Sequence, residues 1–292
     1  MLTELADGAT LSLTLAGDED AELTVVLVHS YAQDRRIWHK VVEVLPGATE
    51  RPIQVLVYDH RGHGESSSAD ESTATVEQLG DDLAELIEMA VPHGRIVLVG
   101  HGMGGLVCMA LAARHQLLFN VRVAGLVFLS TAAGGVAQAS ATLPQSVGRV
   151  VQDLEAILGS RIVGHVRGRI DKAKTIGLRW LLFGDDPDPN DTRLVAEMIS
   201  KHWPETVALF RPTLDRQDRA AALTVAVGTP VLAIVGEKDR LVPASHAHVL
   251  ADSVQHGTAV ILSGLGHMLP LEGSAEIIPR IVGQVHEILR TS

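Results

Sequence analysis

Cysteine is almost missing from this 292-residue chain, which holds only Cys108. One thiol closes no internal disulfide and cannot build a cysteine-rich zinc or iron–sulfur site, so no metal and no cofactor is expected from that source. Basic residues are also scarce, with 24 Lys and Arg against 35 Asp and Glu and a net charge of −11. A surface of that sign repels a phosphate backbone, which excludes nucleic acid as the expected partner. No stretch approaches the ~20 apolar residues of a membrane span, so the chain is not expected to be an integral membrane protein. The first residues, Met1 to Asp7, carry neither the basic region nor the apolar core of a secretory signal, and the expected location is cytoplasmic.

What is present is a globular composition, 46% apolar, on a length that suits one large α/β domain. Short β-rich runs at 11–15, 23–28, 53–58, 96–99, 123–129, 231–235 and 259–262 alternate with helix-length amphipathic segments at 35–45, 76–90, 106–114, 244–251 and 277–289. This is the rhythm of parallel strands joined by crossover helices, and the nearly all-apolar strands read as buried on both faces. The expected class is therefore α/β, with a mostly parallel central sheet flanked by helices. After a small-residue stretch beginning at Ala132, residues to about 222 show helical periodicity and no convincing strand. The division expected is a core from 1–131 and 223–292, with 132–222 inserted as a helical cap or lid over the strand ends where open α/β sheets bind ligands.

Four segments carry chemistry. VLVGHGMGGL at 97–106 runs from a strand through a glycine-rich turn into a helix. GEKDRLVP at 236–243 follows an apolar strand and offers Asp239, and GLGHMLP at 264–270 follows the last strand and offers His267. The fourth comprises VLVHSY at 26–31, with Trp38 behind it, and DHRGHGES at 59–66.

In that order these segments resemble the α/β-hydrolase family. The run Gly100-His-Gly102-Met-Gly104 is similar to its nucleophile elbow, G-x-S-x-G, with Gly102 at the place of the nucleophilic serine. The resemblance implies that Asp239 is the acid that orients the imidazole and that His267 is the general base, following the Ser-His-Asp plan of esterases and lipases. It further implies an oxyanion hole made by the backbone N–H groups of Tyr31 and Met103. Ser30 stands where the family's oxyanion loop usually has glycine, a small departure because serine can follow a tight turn. The resemblance covers about 20–130 and 225–291.

Outside that pattern, His60, His63 and His101 read as structural, and Cys108, six residues past the elbow position, reads as a core thiol. Asp186, Asp188, Asn190, Asp191 and Glu197 resemble part of a calcium loop, but Asp191 occupies the position where glycine makes the turn, so turn and cap chemistry explains them better. The basic stretch 161–179 reads as a solvated helix face, with an anionic surface or an acidic substrate as the other uses.

Glycine has no Oγ, so no acyl-enzyme forms at residue 102. Losing a triad nucleophile costs on the order of 10⁶ in turnover, about 8 kcal/mol of barrier, so ordinary ester hydrolysis is expected to be disabled. Three readings follow. One is a hydrolase for esters, lipids or lactones whose nucleophile was replaced by design. Another is an enzyme in which His267 and Asp239 perform acid–base chemistry without a covalent intermediate, as a cyclase, a lyase or a hydrolase attacking with water. The third is a non-catalytic binder of a small apolar ligand. The substrate expected is a small apolar ester-like or carbonyl compound; oligomeric state is not legible.

Overall fold

The structure is a computed structural model that describes residues 1–134, 172–202, 205–214 and 220–290. Its centre is a sheet in which eight strands lie in the order β1-β2-β4-β3-β5-β6-β7-β8. These are β1 (Leu2–Glu4), β2 (Thr10–Gly17), β3 (Leu23–Val28), β4 (Gln54–Tyr58), β5 (Arg95–His101), β6 (Val123–Leu129), β7 (Val231–Gly236) and β8 (Gly257–Leu262). β1 and β2 pair antiparallel and the other six run parallel.

The central strands are apolar throughout because both of their faces are covered. Alternate residues Val26, Val28, Leu56 and Leu98 enter one core with α2 (Val76–Ala90) and α3 (Met103–Arg114). Their neighbours Val25, Leu27, Val55 and Val97 enter the other, with Trp38, Val41 and the long helix that ends the described chain. α2 starts at Thr75, whose hydroxyl accepts the Gln78 N–H at 3.0 Å, satisfying one of the unpaired donors of the first turn.

The remaining helices are α1 (His39–Val44), α4 (Gln116–Arg122), α5 (Lys172–Leu182), α6 (Pro189–His202), α7 (Glu205–Leu214), α8 (Ser245–Asp252), α9 (Leu269–Glu272) and α10 (Ser274–Arg290). The segment expected as one helix over 35–45 is instead a 3₁₀ turn, Arg35–Trp38, followed by α1. Three elements of the core escape the sequence pattern: β1 is a three-residue edge strand, and α4 and α9 are too short to show a helical period.

Among the described residues of 172–225 there are helices and no strand. The helices at 189–202 and 205–214 lie on the loops at the C-terminal ends of the parallel strands. The Tyr31 hydroxyl donates to Val207 O at 2.5 Å, Thr206 Oγ1 donates to Gly62 O at 2.7 Å, and the Gly64 N–H donates to His202 Nε2 at 2.7 Å. Most of the basic stretch, 161–171, lies outside the described residues. Among the described residues, no helix is long and apolar enough to cross a membrane.

Candidate active site

The site is assembled where β3, β4, β5, β7 and β8 end, at one edge of the sheet. β5 passes into α3 through Gly102, whose φ of 52° and ψ of −115° belong to neither a strand nor a helix. Such a backbone costs an L side chain conformational energy, and glycine adopts it freely. The turn is also crowded: a Cβ on Gly100 would stand 2.5 Å from the Gly105 Cα, so strand and helix close on each other only because both positions are small. The result is a sharp strand-to-helix turn that aims the first N–H groups of α3, and the positive end of its dipole, at the space beside residue 102.

Asp239 follows β7 and is held rigidly. Its Oδ1 accepts the N–H groups of Leu241 at 2.9 Å and Val242 at 2.8 Å, and its Oδ2 faces His267 Nδ1 at 2.9 Å. Burial alone would raise this carboxyl, but the neighbouring His267 and the backbone donors outweigh it and leave its pKa below the ordinary aspartate value. With an ionised acceptor at Nδ1, the proton sits on that nitrogen and Nε2 is the free base of the ring.

His267 is fixed from its backbone too. Its N–H donates to Leu182 O at 2.9 Å, and its carbonyl accepts His101 Nε2–H at 2.9 Å. His101 is fully buried and its pKa is pushed down to about 3, chiefly by desolvation, so the ring is neutral. Glu272 accepts the Gly184 N–H at 2.8 Å and the Met268 N–H at 3.0 Å, clamping the histidine loop to the segment after α5.

Facing this turn is the loop after β3. In the parallel pairing of β3 with β5, Val28 lies opposite Gly100, so two residues further on Ser30 comes beside Gly102. The Ser30 side chain fills the space that glycine leaves. A Cβ built on Gly102 would overlap Ser30 Oγ, stand 3.0 Å from Ser30 Cβ and lie 3.6 Å from His267 Nε2. The Ser30 Oγ accepts the Met103 N–H at 3.1 Å. That amide is one of the two expected oxyanion donors, and here it already holds a hydroxyl oxygen. Ser30 is 5% exposed, and its own N–H donates to Gln33 Oε1 at 3.4 Å.

The loop after β4 is scaffolding. Asp59 accepts the N–H groups of Arg35 at 2.7 Å and Glu65 at 2.9 Å, and Arg61 forms a two-pronged pair with Asp82 at 2.9 and 2.7 Å. His60 Nε2 donates to the His29 carbonyl at 2.9 Å, while His29 Nε2 accepts the His60 N–H at 2.9 Å. His63 stands next to both rings. Burial raises the pKa of the Cys108 thiol, in keeping with a core position. Asp191 pairs with Lys40 at 2.7 Å and Glu197 with Arg36 at 2.7 Å, so these two carboxylates of the calcium-like stretch already have cationic partners. Among the described residues no group of His, Cys, Asp or Glu is placed to hold a metal ion.

The model of the alpha/beta hydrolase fold matches residues 24–274. The chain belongs to the α/β-hydrolase family. Among the relatives of this α/β-hydrolase, a monoacylglycerol lipase from Mycolicibacterium smegmatis is 26% identical over 245 residues, covering 81% of this chain and 77% of the lipase. A thermophilic esterase from Thermogutta terrifontis superposes with a TM-score of 0.77 at 25% identity, covering 99% of both chains. The enol-lactonase from Burkholderia xenovorans shares the fold, with a TM-score of 0.71 at 22% identity over 98% of this chain and 100% of that one.

In this α/β-hydrolase the positions picked from the sequence converge. Gly102, Met103 and His267 border one point, Asp239 stands behind the imidazole, and Tyr31 follows Ser30 with its phenol turned to α7. Sequence reasoning missed the place of Ser30, the Gln33 carboxamide behind it and the Glu272 clamp. For Ser30 the signal was present: serine stands where glycine is usual, and glycine stands where serine is usual.

Proposed function

We propose that this α/β-hydrolase cleaves small, apolar ester-type substrates with His267 as general base, Asp239 as its orienting acid and no contribution from a side chain at residue 102. The observation that carries the reading is the buried His267–Asp239 pair, hydrogen-bonded at 2.9 Å with Nε2 turned toward the space beside Gly102. A pair fixed in one tautomer by an ionised carboxylate is arranged for proton transfer, and a merely structural histidine needs no such arrangement. The esterase and lipase relatives support the ester class.

The roles divide as follows. His267 Nε2 takes the proton of the attacking hydroxyl and returns it to the leaving oxygen. The N–H groups of Tyr31 and Met103 stabilise the charge that develops on the carbonyl oxygen. Among the described residues, α6 and α7 serve as the cap: they contact the loops after β3 and β4, and ligands of open α/β sheets sit between such loops and whatever covers them. The protein is expected to act without a metal or an organic cofactor.

The test is turnover of p-nitrophenyl esters from acetate to octanoate by the natural chain and by His267→Ala. The natural chain should show a chain-length optimum, and the variant should lose roughly 10³-fold or more of that rate. Equal rates for the two proteins would overturn the reading.

A further inference from the structure

We propose that the nucleophile of this site has been transposed, and that Ser30 Oγ attacks the substrate in place of an oxygen on residue 102. The inference rests on the ester-hydrolase reading and supplies its attacking atom. Three observations carry it. The two departures from the family's pattern are reciprocal, glycine for serine at 102 and serine for glycine at 30, and the register of β3 with β5 sets them side by side. The Ser30 hydroxyl lies where a side chain on residue 102 would begin, next to the point 3.6 Å from His267 Nε2. The hydroxyl also accepts the Met103 N–H at 3.1 Å, a donor at the head of α3 that favours negative charge on that oxygen.

A serine hydroxyl becomes a useful nucleophile when a base takes its proton as the new bond forms, and His267 stands ready to do so. Catalytic contacts of this kind are often loose before substrate binds and tighten in the complex. In the first step Ser30 Oγ bonds to the carbonyl carbon while its proton passes to His267 Nε2 and the carbonyl π pair moves to oxygen. Two oxygens on one carbon are close neighbours, so the Met103 N–H that holds Oγ can turn to the new oxyanion, with the Tyr31 N–H beside it. The intermediate collapses with loss of the alkoxide, which takes the proton from His267 and leaves an ester on Ser30. Water, deprotonated by the same imidazole, then cleaves that ester and Ser30 recovers its proton. No oxidant, metal or further reactant is needed. Gly102 has its own part in this arrangement, since any side chain there would occupy the space of the Ser30 hydroxyl.

The experiment is labelling of the full chain with diethyl p-nitrophenyl phosphate, which phosphorylates an activated serine, followed by peptide mapping by mass spectrometry. The expected result is one diethylphosphoryl group per chain, on Ser30. The label should be lost in Ser30→Ala and in His267→Ala. In the exchanged variant Ser30→Gly/Gly102→Ser it should appear on the serine at 102, which shows that the site still folds and reacts when the hydroxyl is returned. Ester turnover that depends on His267 in a protein that is unlabelled, or labelled on Tyr31, would overturn the transposed nucleophile and leave the hydrolase reading intact, with water attacking directly. A Ser30 adduct in a protein without His267-dependent ester turnover would keep the nucleophile and overturn the hydrolase reading. The absence of both adduct and turnover would overturn both.

Discussion

The turn after β5 and the turn after β3 lie side by side, and each has what the other lacks. The first keeps the strained backbone of a nucleophile elbow, with φ at 52°, yet carries no side chain there. The second is a buried loop, with a left-handed residue of its own at Ala32, and it carries a hydroxyl aimed into the gap. The shape of a reactive turn and the atom that reacts are therefore separable. The shape is set by the close approach of strand and helix backbones around small residues, whereas the atom only needs to reach one point in space. Parallel pairing lets either of two neighbouring strands deliver it.

The largest loss comes from disturbing the base that serves both turns. Asp239→Asn leaves the shape intact but removes the ionised acceptor at Nδ1, so His267 loses its preferred tautomer. Ester turnover should fall on the order of 10⁴-fold, about 5 kcal/mol of barrier, with the fold unchanged by circular dichroism. The scaffold behind the β3 loop gives the next largest effect. Arg61→Ala leaves the buried Asp82 carboxylate without its two-pronged partner, and urea unfolding should show a loss of about 3–5 kcal/mol.

A smaller effect sharpens the comparison directly. Gly102→Ala drives a Cβ onto the Ser30 hydroxyl and should cost about 1–3 kcal/mol as an overpacked substitution. The same change made together with Ser30→Gly should cost about 1 kcal/mol less, because the backbone strain at φ 52° is common to both backgrounds and the overlap is not. Additive unfolding energies would mean that the two turns do not share one space. By the same overlap, Gly102→Ser alone is predicted to gain less activity than the missing oxygen suggests, since Ser30 first has to move.

A separate effect, on stability alone, is in acidity. His29, His60 and His63 are fully buried, and desolvation, with the neighbouring imidazoles, holds their pKa values well below 6.5. A base whose folded pKa is depressed is protonated first in the unfolded chain. Its contribution is therefore present above about pH 6.5 and is lost as the pH falls below that value. The urea midpoint should drop steadily from pH 6.5 to pH 5, and a flat profile would mean these rings accept protons in place.

Much of the scaffold is legible in the residues. β3, β6 and α2 have the bounds that apolar runs and helical spacing predict, because a strand buried on both faces and an amphipathic helix both write their environment into the sequence. α3 begins at Met103, three residues before its apolar period starts, because Gly104 and Gly105 read as turn residues yet are helical and pressed against other backbone and side chains. The positions of Asp239 and His267 follow from motifs placed after successive strands. The place of Ser30 does not, since a contact between residues 72 positions apart in the chain is fixed by strand register, which apolar strands leave undetermined in one dimension. With Val28 known to lie opposite Gly100, the pairing of the two exchanged residues becomes plain.

The central question is whether the hydroxyl at Ser30 does what one at residue 102 would do. The direct measurement is kcat/KM on a p-nitrophenyl ester for three proteins: the natural chain, Ser30→Gly, and Ser30→Gly/Gly102→Ser. The account predicts a loss of roughly 10³-fold or more in the single variant and recovery to within about tenfold of the natural rate in the exchanged one. A single variant that keeps the natural rate would contradict it.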